Sequence, residues 1–402
     1  MQRVAMLSVH TSPLAQPGTG DGGGMNVYVR SLASALARSG VAVDVLTRAE
    51  HAEQPPVVEV EPRFRVLHVA AGPRAPVPLA DLPALAAEFT ASARTLLLDD
   101  DYRVLHANYW VSGAIGHSLK HDLELPLVTT FHTLERVKAE VGMADGAPLR
   151  PRVEAEVVRC ADLVVASTVE ERDQLVRHYG AEPERIVVIA PGVDDAVFAP
   201  GDRAAARRAT GLPDGPVILF VGRIQPLKGA DLAVQALAEM RHRDATLAVV
   251  GGPSGPDGDH EVARLRELVA DLGLDTRVRF FPPQAHQLLT SFYRAADVCV
   301  VPSRTESFGL VALEAAACGT PVVAANVGGL RVLVDHGTTG YLVDEREPSA
   351  YAAALDRVLD DGAHTMSLPA VARATRYRWT IAAARLRRCY DDLAARTLVR
   401  CR

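Results

Sequence analysis

The chain has 402 residues, 48% hydrophobic and 23% charged, with a formal net charge of −6. That composition fits a globular protein long enough for two domains of about 200 residues each. The acidic balance speaks against a general nucleic-acid binder, and without a run of about 18 apolar residues no membrane span is expected.

Residues 1–9 are too short and too quickly polar for a secretory leader, and 3–9 read instead as a first buried strand. Further strands are expected at 42–47, 64–69, 104–108, 126–130 and 162–166. Ala/Leu-rich helical stretches fall at 25–39, 80–98, 111–122 and 152–160, and the Pro/Ala-rich piece 72–83 reads as an irregular loop. The rhythm is βαβα, which predicts an α/β fold with a parallel doubly wound sheet. It pauses around 190–215 and restarts with strands at 217–221, 246–250, 277–281, 298–301, 321–324 and 340–343. Two Rossmann-like domains are therefore expected, at 1–195 and 196–375, followed by a helix of about 379–398 within 376–402 that crosses back to the first domain. Ligands in such sheets sit beyond the carboxyl ends of the strands, so an interdomain cleft is the expected site. Five cysteines form an odd set without CxxC spacing. A reducing cytoplasm is the expected compartment, and no metal site is expected.

Four segments carry chemistry. Gly18-Thr19-Gly20-Asp21-Gly22-Gly23-Gly24 follows the first strand and opens the first helix. Its glycines let backbone approach an anion, and the helix start supplies amides. The spacing matches a dinucleotide fingerprint only through its glycine density, and the loop is long for that turn. His132, in Phe131-His132-Thr133, falls at a strand's carboxyl end. Gly222-Arg223-Ile224-Gln225-Pro226-Leu227-Lys228 ends another strand with two cations five residues apart, suited to phosphate oxygens. Glu306-Ser307-Phe308-Gly309-Leu310-Val311 leads into a helix that carries Glu314, eight residues after Glu306. Amides at that helix start suit a diphosphate, and the two carboxylates suit sugar hydroxyls. By contrast, Asp99-Asp100-Asp101 reads as a solvated helix end, and Gly251-Gly252-Pro253-Ser254-Gly255-Pro256 lacks the lysine of a P-loop and reads as a wall of a nucleotide site.

Together these segments resemble the retaining glycosyltransferases of family 4, which have the GT-B architecture. The resemblance spans nearly the whole chain and is nearest to the branch that moves N-acetylglucosamine from UDP to 1-D-myo-inositol 3-phosphate in mycothiol assembly. It implies that Arg223 and Lys228 hold the diphosphate and stabilise its growing charge, with help from amides near Gly23, Gly24 and Gly222 and from Ser307, Phe308, Gly309, Leu310 and Val311. Glu314 would bind ribose, Glu306 would face the donor sugar, and His132 would touch its 6-hydroxyl side. The leaving phosphate would take the acceptor proton, so no enzyme base, cofactor or metal is expected. The implied ligands are a nucleoside diphosphate sugar, with UDP or GDP, and a small polar acceptor. No nucleic-acid or membrane partner is implied, and a homodimer is compatible with the resemblance.

The acceptor side departs from that branch. Asn26, Tyr109, Thr133 and Arg150 match its phosphate-binding set, but Leu79 stands where the branch has a lysine, and Asn108 where it has a histidine. Losing one charge from a phosphate site costs about 2–4 kcal/mol. Arg74 compensates only if its loop turns inward. The departure predicts a specialised relative. Its acceptor would be an aminated or neutral cyclitol, or a carboxylate compound such as ergothioneine, which one such branch joins to a GDP-octose in lincosamide antibiotic assembly. The mycothiol reaction itself is the alternative, and a sugar-nucleotide-binding protein without transfer activity is another. A phosphorylase lacks a supporting pyridoxal phosphate segment, and the long 18–24 loop counts against a dinucleotide oxidoreductase.

Overall fold

The computed structural model describes every residue except 1–2, 21, 99, 145–146, 256, 395 and 402. Asp21, Asp99 and Pro256 of the segments above thus lie outside the described residues. Two compact units form: Met1–Ala15, Met25–Ala190 and Trp379–Arg402 make the first, and Gln16–Gly24 with Pro191–Arg378 make the second.

The first unit holds β1 (Arg3–Leu7), β2 (Ala42–Arg48), β3 (Val57–Glu61), β4 (Phe64–Val69), β5 (Tyr102–Asn108), β6 (Leu127–Thr130), β7 (Leu163–Ala166) and β8 (Ile186–Val188). They form one sheet in the order β3-β4-β2-β1-β5-β6-β7-β8, parallel except for the β3–β4 pair. β2 is buried along its whole length and β5 at all but one position, and the polar residues enclosed with them are paired: Asp44 accepts from Arg65 and the Tyr102 hydroxyl, and Arg48 donates to the Pro73 and Ala75 carbonyls. The strand order reverses between β1 and β5, so loops beyond their carboxyl ends diverge and leave room for a ligand.

Sequence periodicity missed β3 and β8. β3 (VVEVE) is a half-exposed edge strand with alternating charge, and β8 has only three residues. The helix expected at 80–98 is also interrupted: a 3-10 segment, Leu79–Leu85, precedes the α-helix Ala86–Leu98. Pro83 lies inside that segment and cannot donate a helical hydrogen bond.

The second unit holds β9 (Val217–Val221), β10 (Thr246–Val250), β11 (Val278–Phe281), β12 (Val298–Val301), β13 (Val322–Ala325) and β14 (Gly340–Val343). All are parallel, in the order β11-β10-β9-β12-β13-β14, with the reversal between β9 and β12. One continuous apolar core lies between this sheet and its helices, including Phe220, Leu237, Val249, Val300, Tyr351 and Leu355.

The last helix, Trp379–Leu393, ends earlier than expected and belongs to the first unit. Its anchor is polar. Tyr390 is fully buried and its hydroxyl lies 2.7 Å from His106 Nδ1, while His106 Nε2 lies 2.9 Å from Thr130 Oγ1. Trp379 packs edge-to-face on Tyr28. Burial pushes the His106 pKa down to about 3. The unfolded chain binds that proton near pH 6.5, so stability is full above 6.5 and falls as pH drops toward 3. The slope for His106 is about 1.4 kcal/mol per pH unit. Urea midpoints followed by tryptophan fluorescence should therefore fall between pH 6.5 and 5. Both tryptophans, Trp110 and Trp379, report on the first unit. A midpoint independent of pH over that range would contradict the buried neutral imidazole.

Cysteine pairing also differs from the expectation. Cys299, Cys318 and Cys389 are free, but Cys160 and Cys401 are joined, 241 residues apart in sequence. No helix among the described residues is long and apolar enough to cross a membrane.

Candidate functional site

In the second unit the candidate donor residues gather at the carboxyl ends of β9 and β12, where the strand order reverses. Lys228 Nζ lies 2.6 Å from Glu306 Oε2, which also accepts from Ser303 Oγ at 3.3 Å. Arg223 Nη1 donates to Ser254 Oγ at 3.1 Å, so the 251–255 turn forms the wall that holds the guanidinium. The 16–24 loop belongs to this same unit. Gln16 Nε2 donates to the Pro283 carbonyl at 3.0 Å, and a Cβ added to Gly23 would sit 3.4 Å from Arg223 Nε. One added to Gly24 would meet Leu310 at 3.7 Å. The glycines thus let this backbone lie directly against the candidate cation and the start of the Leu310–Ala317 helix.

That helix begins after Gly309, whose φ is +103°, and its first intrahelical bond runs from Leu313 N–H to the Gly309 carbonyl. The amides of Leu310, Val311 and Ala312 precede that bond and carry the positive end of the helix dipole. Glu314 is buried on the helix: His286 Nε2 lies 2.6 Å from Oε1, and the Tyr293 hydroxyl donates to Oε2 at 2.9 Å. Burial pushes the Tyr293 pKa well above the usual phenol value, so it remains a donor. Each carboxylate oxygen keeps a second lone pair for a hydroxyl ligand. Phe308, expected among the donor contacts, turns its ring into the core against Tyr377, which leaves only its backbone for such a contact.

Sequence reading missed the device that fixes Glu306. Gly329 N–H donates to the Glu306 carbonyl at 2.9 Å. Gly328, at φ +48°, lies so close that any Cβ there would collide with that carbonyl, and a Cβ at Gly329 would collide with Phe308. The only signal in the sequence was the Gly328-Gly329 pair itself, in a loop that carries no reactive side chain.

In the first unit the candidate residues lie at the carboxyl ends of β1, β5 and β6. Tyr109 and His132 are two of four non-glycine residues with positive φ among those described, at +77° and +64°. Such backbone is costly and persists where surrounding structure enforces it, often at functional sites. His132 Nε2 lies 3.0 Å from Asn108 Oδ1, an amide oxygen that can only accept, so this nitrogen carries the proton. Burial, then the neighbours His106 and His10, push the His132 pKa down to about 3, and the ring is neutral at physiological pH. Asn108 therefore orients His132. Asn26, expected at the acceptor, is enclosed and donates to Thr11 Oγ1 and the Ser12 carbonyl, both at 2.6 Å, which fixes the loop after β1.

Arg150 is 1% exposed. It donates to the Tyr109 hydroxyl at 3.0 Å and to Thr133 Oγ1 and carbonyl at 2.9 and 3.0 Å, so Tyr109, Thr133 and Arg150 form one cluster. Two buried carboxylates join it: Glu154 Oε1 at 2.8 Å and Glu135 Oε2 at 3.2 Å. Lys138 Nζ lies 4.0 Å from Glu135. Leu79 opens the 3-10 segment and packs on the apolar core of this unit. Arg74 is exposed and donates to the Ala52 carbonyl, while buried Arg48 holds the loop through the carbonyls of Pro73 and Ala75 at 2.8 and 2.7 Å. Neither Glu135 nor Arg48 was singled out from sequence, because their roles depend on partners distant in the chain.

Known proteins match along this whole chain. The family described as Glycosyltransferase Family 4 matches residues 22–197, and Glycosyl transferases group 1 matches 202–375. The D-inositol 3-phosphate glycosyltransferase of Acidothermus cellulolyticus is 49% identical over 393 residues, covering 94% of this chain and 87% of the relative. That of Thermobispora bispora is 46% identical over 413 residues, covering 98% and 96%. Among solved structures, sucrose-phosphate synthase from Thermosynechococcus elongatus superposes with a TM-score of 0.91 at 35% identity, covering 98% of this chain and 100% of that one. Anabaena HepE, solved with UDP and glucose, shares the fold with a TM-score of 0.79 at 23% identity, with coverage of 98% and 100%.

Proposed function

This chain belongs to the family 4 glycosyltransferases of GT-B architecture, and from that membership we propose that it transfers a sugar, with retention, from a nucleoside diphosphate sugar to a small polar acceptor that bears no phosphate dianion. The observation that carries the acceptor half is the pairing of Arg150. Among the described residues around it, two cations, Arg150 and Lys138, face two carboxylates, Glu135 and Glu154. That set has no surplus positive charge for a dianion. Leu79 adds an apolar surface where the resemblance calls for a lysine, and Arg74 is engaged with Ala52. A neutral cyclitol fits this balance best, because the matched set offers no surplus charge of either sign.

On the donor side, Arg223 and Lys228 bind the diphosphate, and the amides of Leu310 and Val311 add to them. As the bond between the anomeric carbon and the phosphate oxygen breaks, charge builds on that oxygen, and the cations stabilise it. The acceptor oxygen bonds to the same face of the anomeric carbon and its proton passes to the departing phosphate. Neutral His132 serves as a hydrogen-bonding group rather than as a cation. Glu314 takes ribose hydroxyls with its remaining lone pairs, and Glu306 keeps Lys228 in place.

The second reading is transfer of N-acetylglucosamine from UDP to D-inositol 3-phosphate. The names of relatives at 46–49% identity favour it. Thermal shift with UDP, GDP and ADP identifies the donor base. Nucleoside diphosphate release is then measured with inositol 3-phosphate, inositol, an aminocyclitol and ergothioneine as acceptors. A phosphate short of one cation loses about 2–4 kcal/mol, roughly 30- to 1000-fold in kcat/KM, so a phosphate-free acceptor should rank first by at least tenfold. Inositol 3-phosphate ranking first would overturn the proposed acceptor. Nucleotide binding without release in any mixture would point to a binding protein.

A further inference from the structure

On the far flank of the first unit's cluster, four ligand-type side chains converge from three segments. His117 and His121 lie one turn apart on the helix Trp110–Leu123, with ring centroids 5.0 Å apart. Cys160 ends the helix Arg150–Cys160 and is 1% exposed. Cys401 arrives along the C-terminal segment, its Sγ 3.3 Å from His121 Nε2. One ligand atom from each of the four lies within 4.8 Å of all the others. We propose that, with both thiols reduced, His117, His121, Cys160 and Cys401 bind one zinc ion in a tetrahedral Cys2His2 site that fastens the C-terminal segment to these two helices.

The surroundings are those of a built site. Glu156 Oε1 lies 3.6 Å from His117 Nδ1, close enough to hydrogen-bond the ring after a small rotation if Nε2 takes the metal, the usual outer-shell arrangement. Asp162 ties the segments together: it pairs with Lys120 Nζ at 2.7 Å and accepts from Leu127 N–H at 2.8 Å and Val399 N–H at 2.6 Å. Lys120 also donates to the Cys160 carbonyl at 2.7 Å. The backbone two residues before Cys401 is therefore fixed independently of any bond between the sulfurs. Zinc takes thiolate at about 2.3 Å and imidazole nitrogen at about 2.0–2.1 Å, so neighbouring ligand atoms are separated by about 3.3–3.8 Å, within reach of small side-chain rotations from this cluster. Each thiol gives up its proton on binding, releasing two protons per zinc. In the disulfide the sulfurs are bonded to each other and are poor ligands, so disulfide and zinc exclude one another. Cysteine spacing alone gave no hint of this site. The His-x3-His repeat on one helix face was the available signal.

The test uses the full chain, reduced, freed of metal, and then offered zinc in competition with a chromophoric chelator. One tightly held zinc per chain is expected, together with a rise in Tm and, with cobalt in its place, the visible bands of a tetrahedral thiolate complex. Cys401→Ser and His121→Ala should each weaken zinc at least 100-fold and abolish the Tm rise without changing nucleotide binding. Zinc affinity equal in parent and variants would overturn the proposal. So would a fully reduced parent that binds no zinc, or a Cys160–Cys401 bond that resists reduction in the folded chain and marks a purely structural disulfide.

Discussion

Replacing Lys228 by alanine is expected to lower kcat by about two to three orders of magnitude, measured as nucleoside diphosphate release at saturating donor. Removing one preorganised group that stabilises developing charge has an effect of that size, about 2.7–4 kcal/mol. Two features of this site place Lys228 at the upper end. Its ammonium is held 2.6 Å from Glu306 and so is oriented before any ligand binds. Its loss also leaves the Glu306 carboxylate facing the position proposed for the diphosphate, turning one missing attraction into a repulsion. The double variant Lys228→Ala with Glu306→Gln should therefore recover part of the loss. Lys228 is about a quarter exposed, so the fold of the second unit should be little affected, with a stability change within about 1 kcal/mol. A Lys228→Ala variant keeping more than a tenth of the parent kcat would remove Lys228 from the machinery.

Arg150→Met is expected to destabilise the first unit by about 3–5 kcal/mol, the usual result of removing one partner from a buried ion pair. Glu154 is completely enclosed and would keep its Glu135 N–H and Tyr179 hydroxyl donors but lose its countercharge. Tyr109 and Thr133 would lose the donor that joins them. The measurement is a urea midpoint by tryptophan fluorescence, with the slope m checked for constancy. Adding Glu154→Gln to Arg150→Met should restore part of the stability, because the residual cost is an uncompensated charge. A loss under about 1 kcal/mol would mean that solvent reaches the pair and that Arg150 remains available to pair with an anionic acceptor.

Much of the frame was legible in the chain. Strands 217–221, 246–250, 298–301 and 340–343 fall where their apolar runs end, because a strand buried on both faces admits little else, and 64–69 was legible from its alternation of apolar and polar residues. The donor segment was legible for a different reason. Gly309 before a helix, and cations at the end of a strand, are local devices whose purpose can be read within ten residues. Glu135 was invisible by the same criterion: it opens a short helix and looks like an ordinary first-turn acid, yet the fold sets it against Arg150, fifteen positions on. Asn108 read as an acceptor residue, whereas its oxygen meets His132, 24 residues away.

The two α/β units, the family and the make-up of the donor segment can be read along the chain, since periodicity, loop glycines and strand-end cations follow from chain-local sterics and burial. Which charges are already matched emerges only from the folded chain. It set Glu135 and Glu154 on Arg150, His286 and Tyr293 on Glu314, and Gly328-Gly329 beneath Glu306. It also brought Cys401 beside Cys160 and two histidines. Those pairings arise where strand order reverses and where the last segment returns to the first unit, and the electrostatics of a site depend on distances in space rather than on spacing along the chain.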